Sequence, residues 1–80
     1  MELHIVSPRQ HRIVQVEWID LHTPIGNMIV QENHEPMIVS LVQGKPLTFA
    51  IDDEKIESLA IEMGIVEITR KVVTLILHEE

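Results

Sequence analysis

Five histidines are the residues of this chain best suited to chemistry, because an imidazole can bind a metal ion or exchange a proton near neutral pH. They are His4, His11, His22, His34 and His78. None are spaced as H-x-H or H-x-x-x-H, the spacings that put two ligands on one face of a strand or a helix. Strand pairing can still join distant histidines, so a small His-based metal- or ligand-binding protein stays an alternative. The missing spacing favours separate surface or interface histidines, and we predict no metal site.

Side chains suited to covalent or acid–base catalysis are sparse. The chain has no cysteine, and it has neither a Gly-rich phosphate loop nor a nucleophile elbow. Ser7, Ser40 and Ser58 fall in strand-like runs, and the acidic pair Asp52-Asp53 lies in a predicted turn, where water surrounds it. The sequence therefore predicts a protein that is not an enzyme, with no catalytic residue and no cofactor.

Composition and charge narrow the class of partner. The chain has 80 residues, of which 13 are acidic and 6 basic, for a formal net charge of −7. Nucleic-acid binding needs a basic footprint, and an anionic membrane surface also repels an acidic protein. No apolar run approaches the roughly 20 residues of a membrane-spanning helix, and Met1–His4 lacks the basic region of a signal peptide. We expect one cytoplasmic domain, residues 1–80, which binds no nucleic acid and does not insert into the membrane.

Short apolar runs separated by turn residues form the elements that position the candidate histidine, serine and acidic side chains. Ile, Val and Leu supply most of the hydrophobic content, and such β-branched enrichment favours strands. The predicted strands are Leu3–Ser7, Arg12–Leu21, Met28–Val30, Met37–Val42, Lys45–Ile51, Ile56–Ile61, Ile65–Thr69 and Val72–Leu77. This pattern predicts an all-β fold, a flattened antiparallel β-sandwich or barrel of about 8–10 short strands.

Two segments need a decision about their local structure. The apolar residues of Arg12–Leu21 change parity between Trp18 and Ile19, so one flat strand cannot bury them all, and a bulge or bend is predicted there. As the only tryptophan, Trp18 belongs to the core or anchors a partner. The window Asp52–Gly64 competes as a helix, but its apolar residues do not hold helical spacing. A hairpin whose four-residue loop is Asp52–Lys55 is predicted instead.

The central stretch is Gly26–Gly44, which is apolar, then polar, then apolar again. Pro36 fixes its own φ and cannot donate a ladder hydrogen bond. It also pushes Glu35 out of the helical region toward extended geometry. The stretch is therefore predicted as a strand, a rigid corner that contains His34, and a second strand.

Four segments, in order and in spacing, resemble one known family. They are Leu3–Pro8 (L-x-I-V-S-P), Gly26–Gly44 (Gly26, then His34-x-Pro36, Met37-Ile38 and Gly44), Gly64–Ile68 (G-I-V-E-I) and Val73–Leu75 (V-T-L). Together they resemble the amino-terminal β-sandwich of the epsilon subunit of bacterial F-type ATP synthases. The resemblance covers essentially all of the chain.

The chain departs from the family pattern at several turns. Ile13–Gln15 stands where the family has aromatic-x-Gly, and Met63 stands where it has the first Gly of a pair. Glu32 and Asn33 replace Pro-Gly or Pro-Asn, and Asn33 can replace Gly because it tolerates a left-handed backbone. Arg70-Lys71 lacks the Gly or Asn that a tight hairpin prefers. Most family members continue into a two-helix hairpin that can inhibit ATP hydrolysis and in some binds ATP. We expect a short form without that hairpin, and no ATP site is carried over.

The resemblance implies a function and two interfaces. It implies a non-catalytic central-stalk (rotor) subunit that couples rotation of the c-ring to the gamma subunit and the catalytic hexamer, peripheral on the cytoplasmic face of the inner membrane. The implied gamma-subunit interface is Ser7, His34, Pro36 and Val39, and the implied contact to the c-ring loops is Gly26, Asn27 and Met28. A stand-alone β-sandwich interaction or adaptor module without an ATPase role is the alternative.

Each implied interface has a simpler structural explanation. His34 can be a corner residue whose ring bonds to a nearby backbone group and stiffens the loop. Gly26, Asn27 and Met28 can form a plain hairpin turn. Because Asn27 is neutral, a c-ring contact through it would depend on hydrogen bonds rather than on ion pairing. Both explanations stay open at this point.

Overall fold

Nine β-strands make up the regular structure of residues 1–78, the part of the chain that the computed structural model describes. They are β1 (Glu2–Val6), β2 (His11–Gln15), β3 (Trp18–Thr23), β4 (Gly26–Val30), β5 (Met37–Ser40), β6 (Leu47–Ala50), β7 (Ile56–Leu59), β8 (Gly64–Ile68) and β9 (Val72–Leu77). The all-β prediction is confirmed. Within those residues there is no helix long and apolar enough to cross a membrane.

The strands form two sheets that pack face to face. One sheet has five strands in the order β2-β1-β9-β8-β5, and the other has four in the order β4-β3-β6-β7. The prediction of an antiparallel sandwich is confirmed with one exception, since β1 and β9 pair in parallel. This parallel pairing joins the first and last strands in the middle of the five-stranded sheet. The β1–β9 pairing thereby connects parts of the chain that are far apart in sequence.

Alternating side chains build the core between the sheets. Burial alternates residue by residue along β1, β3 and β8, as expected of strands with one face toward a core. The largest fully buried side chains are Phe49, Leu3, Ile19, Leu21, Leu47, Ile68, Leu75, Val30, Val66 and Val73. Both sheets contribute to this set, so neither sheet can be stable without the other.

The chain changes sheets at Val16 and Glu17. A single long strand with a bend near Trp18-Ile19 was the wrong prediction, because β2 ends at Gln15 and β3 begins in the other sheet. The backbone N–H of Val16 donates to the carbonyl of Met1 at 2.9 Å, and that of Glu17 donates to Ala50 at 2.8 Å. Crossing between sheets lets residues of both parities face the same core.

Side chains stabilise the two tight hairpins. In the β6–β7 loop, Asp52 Oδ1 accepts hydrogen bonds from the backbone N–H groups of Glu54 and Lys55 at 2.8 and 2.9 Å. In the β8–β9 turn, the Thr69 hydroxyl donates to the Val72 carbonyl at 2.8 Å. The predicted hairpin at Asp52–Lys55 is confirmed, and Thr69 explains how the second turn forms without Gly or Asn.

A salt bridge closes the open side of the sandwich between edge strands β2 and β7. Arg12 Nη1 and Nη2 donate to the two carboxylate oxygens of Glu57 at 3.0 and 3.1 Å. The same guanidinium lies 5.9 Å from the centre of the Phe49 ring. Inward-pointing charges on edge strands hinder pairing with other chains. The hydrogen bonds from Arg12 hold the pKa of Glu57 below its ordinary value.

Acid is expected to weaken this salt bridge. Because the pKa of Glu57 is lowered in the folded state, its stabilising effect is complete above the unfolded value of about 4.3 and is lost as the pH falls through the folded value. As the pH falls from about 5 to about 3, the Glu57→Gln variant should therefore lose less free energy of unfolding than the unmodified chain does. Urea titrations across that range measure it. Glu54→Gln, an exposed neighbour in the β6–β7 loop, is the matched control, and an equal effect of both substitutions would contradict the prediction.

Candidate functional site

The residues predicted for the two interfaces lie at both ends of the sandwich. At one end, called the Ser7 end, Val6 pairs with Ile76, Ile76 with Ile65, and Ile65 with Ser40. The N–H of Val42 donates to the carbonyl of His22 at 2.9 Å, which places β3 at the same end. This end contains Ser7 and the β3–β4 hairpin. At the other, called the His34 end, lie the corner at Gln31–Pro36 and the β8–β9 turn.

Ser7 closes the β1–β2 loop. Its hydroxyl accepts a hydrogen bond from the N–H of Gln10 at 3.1 Å, and its own N–H donates to the Gln10 carbonyl at 2.9 Å. The residue is half-buried. The structure therefore gives Ser7 a local role in the turn, at the end of the sandwich opposite His34 and Pro36.

His34 lies in the corner that the sequence predicted. Its ring Nδ1 is 2.8 Å from the carbonyl oxygen of Glu35, and its N–H donates to the carbonyl of Gln31 at 3.2 Å. The bond between the ring and the backbone is thus confirmed. It fixes the ring at a half-buried position beside exposed Pro36, which leaves the pair accessible to a partner.

Four residues fasten this corner to the β8–β9 turn. The N–H of Asn33 donates to the Arg70 carbonyl at 2.7 Å, and Arg70 Nη1 donates to the Asn33 carbonyl at 3.3 Å. Lys71 Nζ lies 3.1 Å from Glu32 Oε1. Hydrogen bonds from Lys71, and then from the amino-terminal amine, lower the pKa of Glu32. His34 and Pro36 are therefore presented on a fixed corner.

Asn33 is expected to be the residue that most constrains the corner's backbone. Its φ of 69° is left-handed, a conformation that Asn tolerates and that lets it replace the Gly of the family pattern. Because a β-branched residue is strained there, Asn33→Val should lower the free energy of unfolding by about 1–3 kcal/mol. Asn33→Gly should change it little, since the bonds to Arg70 use only backbone atoms of Asn33. Urea unfolding measures both variants, and equal stabilities would contradict the strain.

Strand β5 leads from the corner along the edge of the five-stranded sheet. Val39 faces the core, opposite Val66, and is half-buried. Its neighbour Ile38 points the other way and is 69% exposed. Val39 thus supports the strand from inside, whereas Ile38 offers the apolar surface that sequence reasoning had assigned to Val39. The alternation of Met37–Ser40 was the available signal.

Ile38 belongs to an exposed apolar strip on the outer face of the five-stranded sheet. The strip is Val6, Ile76, Ile65 and Ile38: the first three lie in one row across the sheet, and Ile38 is the diagonal neighbour of Ile65, because Ile65 pairs with Ser40 and Ile38 with Glu67. Ile65 is 48% and Ile76 49% exposed, while Val6 is half-buried. Exposed apolar residues that are contiguous mark interaction surfaces more often than scattered ones do. The strip runs from the middle of the sheet to edge strand β5, and it is the principal feature that the sequence motifs did not indicate.

The β3–β4 hairpin contains the residues predicted for the c-ring contact. Gly26 has a φ of 127°, a backbone conformation that disfavours a side chain. The Thr23 hydroxyl donates to the Gly26 carbonyl at 2.8 Å and accepts from the N–H of Ile25 at 3.3 Å. The hairpin is consequently well braced. Its tip residue Ile25 is 97% exposed and was not among the predicted contacts.

Asn27 and Met28 differ in what they offer to a partner. Asn27 is exposed, and its side-chain amide donates to Asp20 Oδ1 at 3.0 Å. Met28 lies opposite Leu21, faces inward and packs against the core. A contact at this hairpin would accordingly use Ile25 and Asn27, with Met28 anchoring the strand below them.

Among the described residues, the histidines do not gather into a metal centre of three or more protein ligands. Within residues 1–78, no group of three or more His, Cys, Asp or Glu side chains is placed to hold a metal ion. A cavity lined by Gln43, Glu62, Met63 and His78 has a volume of about 130 Å³, well under the roughly 300 Å³ at which small-molecule sites begin. The geometry of this cavity gives no support to a ligand-binding function.

His4 and His11 nevertheless lie together, so the prediction of separate histidines is wrong for this pair. His4 Nδ1 is 3.3 Å from His11 Nε2, and His4 Nε2 is 2.9 Å from Glu2 Oε1. The β1–β2 hairpin places them diagonally, because His4 pairs with Ile13 and His11 with Val6. The pairing register of the β1–β2 hairpin is the signal that could have predicted this contact.

Comparison with known proteins gives one family and a set of similar structures. Residues 1–79 match the family model described as ATP synthase, Delta/Epsilon chain, beta-sandwich domain. No curated protein sequence matches the chain. A chain in a cryo-EM structure of Tetrahymena thermophila mitochondrial ATP synthase, central stalk and c-ring, superposes with a TM-score of 0.81 at 13% identity, covering 99% of this chain and 63% of that one.

A second similar structure supports the same fold. A chain of Euglena gracilis mitochondrial ATP synthase, OSCP/F1/c-ring in rotational state 1, has a TM-score of 0.81 at 21% identity, covering 94% of this chain and 48% of that one. At these identities the structures establish the similarity of fold. The chain spans less than two thirds of the length of either neighbour.

Proposed function

We propose, on the premise that the chain belongs to the β-sandwich family of ATP synthase delta and epsilon chains, that it is a non-catalytic subunit of the central stalk. In that role it couples rotation of the c-ring to the gamma subunit and the catalytic hexamer of an F-type ATP synthase. The match over residues 1–79 is the observation that carries the proposal. The rotor would place it at the cytoplasmic face of the membrane, as a peripheral subunit.

The gamma subunit is the proposed partner of the β5 edge and the His34 corner. Pro36 is exposed beside the backbone-bonded His34, and Ile38 continues the apolar surface along β5 toward the rest of the strip. An apolar strip at a sheet edge suits a partner that buries it. Val39 supports this surface from the core side, and Ser7, implied by the resemblance, would take part only if the gamma subunit reaches the opposite end.

The polar loops of the c-ring are the proposed partner of the β3–β4 hairpin. Ile25 extends fully from its tip, and Gly26 and Asn27 lie beside it. The amide of Asn27 can exchange its bond to Asp20 for bonds to a partner loop. Because Asn27 is neutral, the contact would depend on hydrogen bonding and on burial of Ile25.

The mechanism requires stiffness rather than reactive groups. A rotor subunit must hold two partners in fixed orientation while torque passes between them. The core joins both sheets, the Arg12–Glu57 salt bridge closes the open side, and the His34 corner is tied to the β8–β9 turn. Each of these contacts resists shear within the sandwich.

Direct binding tests the proposal. The purified chain should form a stoichiometric complex with the gamma subunit of the ATP synthase from the same organism, detected by size-exclusion chromatography. The gamma–chain complex should then bind detergent-solubilised c-ring more tightly than the gamma subunit alone does. Absence of any complex with the gamma subunit would remove the stalk function and favour an adaptor module without an ATPase role.

A further inference from the structure

We propose that His4 and His11 form a two-imidazole site for a divalent transition-metal ion, with Glu2 orienting His4 from behind. The site lies on the outer face of the five-stranded sheet, at the β1–β2 pair. It is independent of the stalk function and requires no partner. Water would complete the coordination of the ion.

The spacing of the two ring nitrogens fits a shared ion. His4 Nδ1 and His11 Nε2 lie 3.3 Å apart. Two nitrogen ligands at 2.0–2.1 Å from a tetrahedral Zn²⁺ are themselves separated by about 3.3 Å. The ring centroids are 5.5 Å apart and the planes are tilted by 42°. For the ion to enter, His11 takes the neutral tautomer with its proton on Nδ1, and both rings rotate to direct the free His4 Nδ1 and His11 Nε2 at the ion.

Glu2 determines which ring nitrogen of His4 is free to bind a metal ion. Its Oε1 lies 2.9 Å from His4 Nε2 and accepts a hydrogen bond from that N–H. The tautomer so fixed leaves the lone pair on Nδ1, directed at His11. Metal-binding histidines usually donate their second ring N–H to a carboxylate or a carbonyl in this way. Glu2 is therefore a positioning residue for the His4 ligand.

The surroundings favour a cation and leave it accessible. The His4 side chain is 23% exposed, and His11 is exposed on edge strand β2. The charge of neighbouring Arg12 points to the inner face, where Glu57 pairs with it. The net charge of −7 attracts cations over the whole surface. Ions that prefer imidazole, namely Zn²⁺, Ni²⁺ and Cu²⁺, are the expected occupants.

Titration with Zn²⁺ alone tests the site. At about pH 7.5, where most imidazole is neutral, the chain should bind one ion saturably by calorimetry. Long-range proton–nitrogen NMR spectra should show ligation at His4 Nδ1 and His11 Nε2, while His4 Nε2 keeps its proton. Absence of saturable binding, or ligation at other nitrogens, would overturn the proposal.

Three variants separate this site from general surface binding. His11→Gln should abolish saturable binding, and Glu2→Gln should weaken it by roughly tenfold, the lower end of effects at supporting residues. His22→Gln, on the outer face of the four-stranded sheet opposite Asn27, is the matched control and should bind as the unmodified chain does. Amide NMR spectra establish that each variant is folded. An equal loss in His22→Gln, or normal binding by His11→Gln, rejects the site.

Discussion

Phe49→Ala is expected to lower the free energy of unfolding by about 3–5 kcal/mol. Phe49 is fully buried on β6, where it pairs with Ile19 on one side and Glu57 on the other. Its loss leaves a cavity between the sheets and removes the ring beneath the guanidinium of Arg12. A chain of this length has a total stability of roughly 4–12 kcal/mol. The loss is therefore a large fraction of the total, and the urea midpoint of the variant should lie well below that of the unmodified chain.

Urea unfolding, followed by the fluorescence of Trp18, measures this loss. Trp18 is the only tryptophan of the chain and lies half-buried opposite Ala50, on the strand adjacent to β6. Phe49→Leu is the matched control, because it retains most of the apolar volume and should cost less than about 1.5 kcal/mol if neighbours repack. A Phe49→Ala protein with an unchanged urea midpoint would show that the core tolerates the cavity.

Ile38→Asp is expected to weaken binding to the gamma subunit by about 30-fold or more, since an interface hot spot contributes about 2 kcal/mol or more. Ile38 is 69% exposed on edge strand β5, and a partner that covers it would have to bury the new carboxylate without an ion pair. Stability should change little because the side chain lies outside the core. The affinity is measured by binding a dilution series of each variant to surface-immobilised gamma subunit.

Ile56→Asp is the matched control for this substitution. Ile56 is 58% exposed on edge strand β7 of the other sheet, so its location resembles that of Ile38 but its face is opposite. The affinity of the Ile56→Asp variant for the gamma subunit should equal that of the unmodified chain. Equal weakening by both substitutions would point to a general effect of charge. Weakening by Ile56→Asp alone would move the proposed interface to the four-stranded sheet.

The candidate site was only partly predictable, and Val39 and Ile38 show why. Motif similarity selected strand β5, but a motif match by itself does not use the alternation that decides on which face a side chain lies. Pairing with Val66 turns Val39 inward and Ile38 outward. Ser7 illustrates a second difficulty, since it was grouped with His34 although the two lie at opposite ends of the sandwich. The interface assignments themselves stay predictions.

Local sequence determined the strands and most of the turns. β-branched enrichment marked the strands, Pro36 marked the corner, and Asn33, noted as a residue that tolerates a left-handed backbone, adopts one. These features depend on neighbours in the chain, because propensity, ring closure and φ preference act within a few residues. The motifs then sufficed to predict the β-sandwich and the family.

Tertiary structure alone decided which distant residues meet. The change of sheets at Val16-Glu17, the Arg12–Glu57 salt bridge and the His4–His11 pair all depend on strand order and register. A shift of register by one residue reverses the face of every side chain in a strand, and that register is set by packing across the whole core. For this reason the sequence indicated the family, while the exposed strip and the paired imidazoles became visible only in the folded chain.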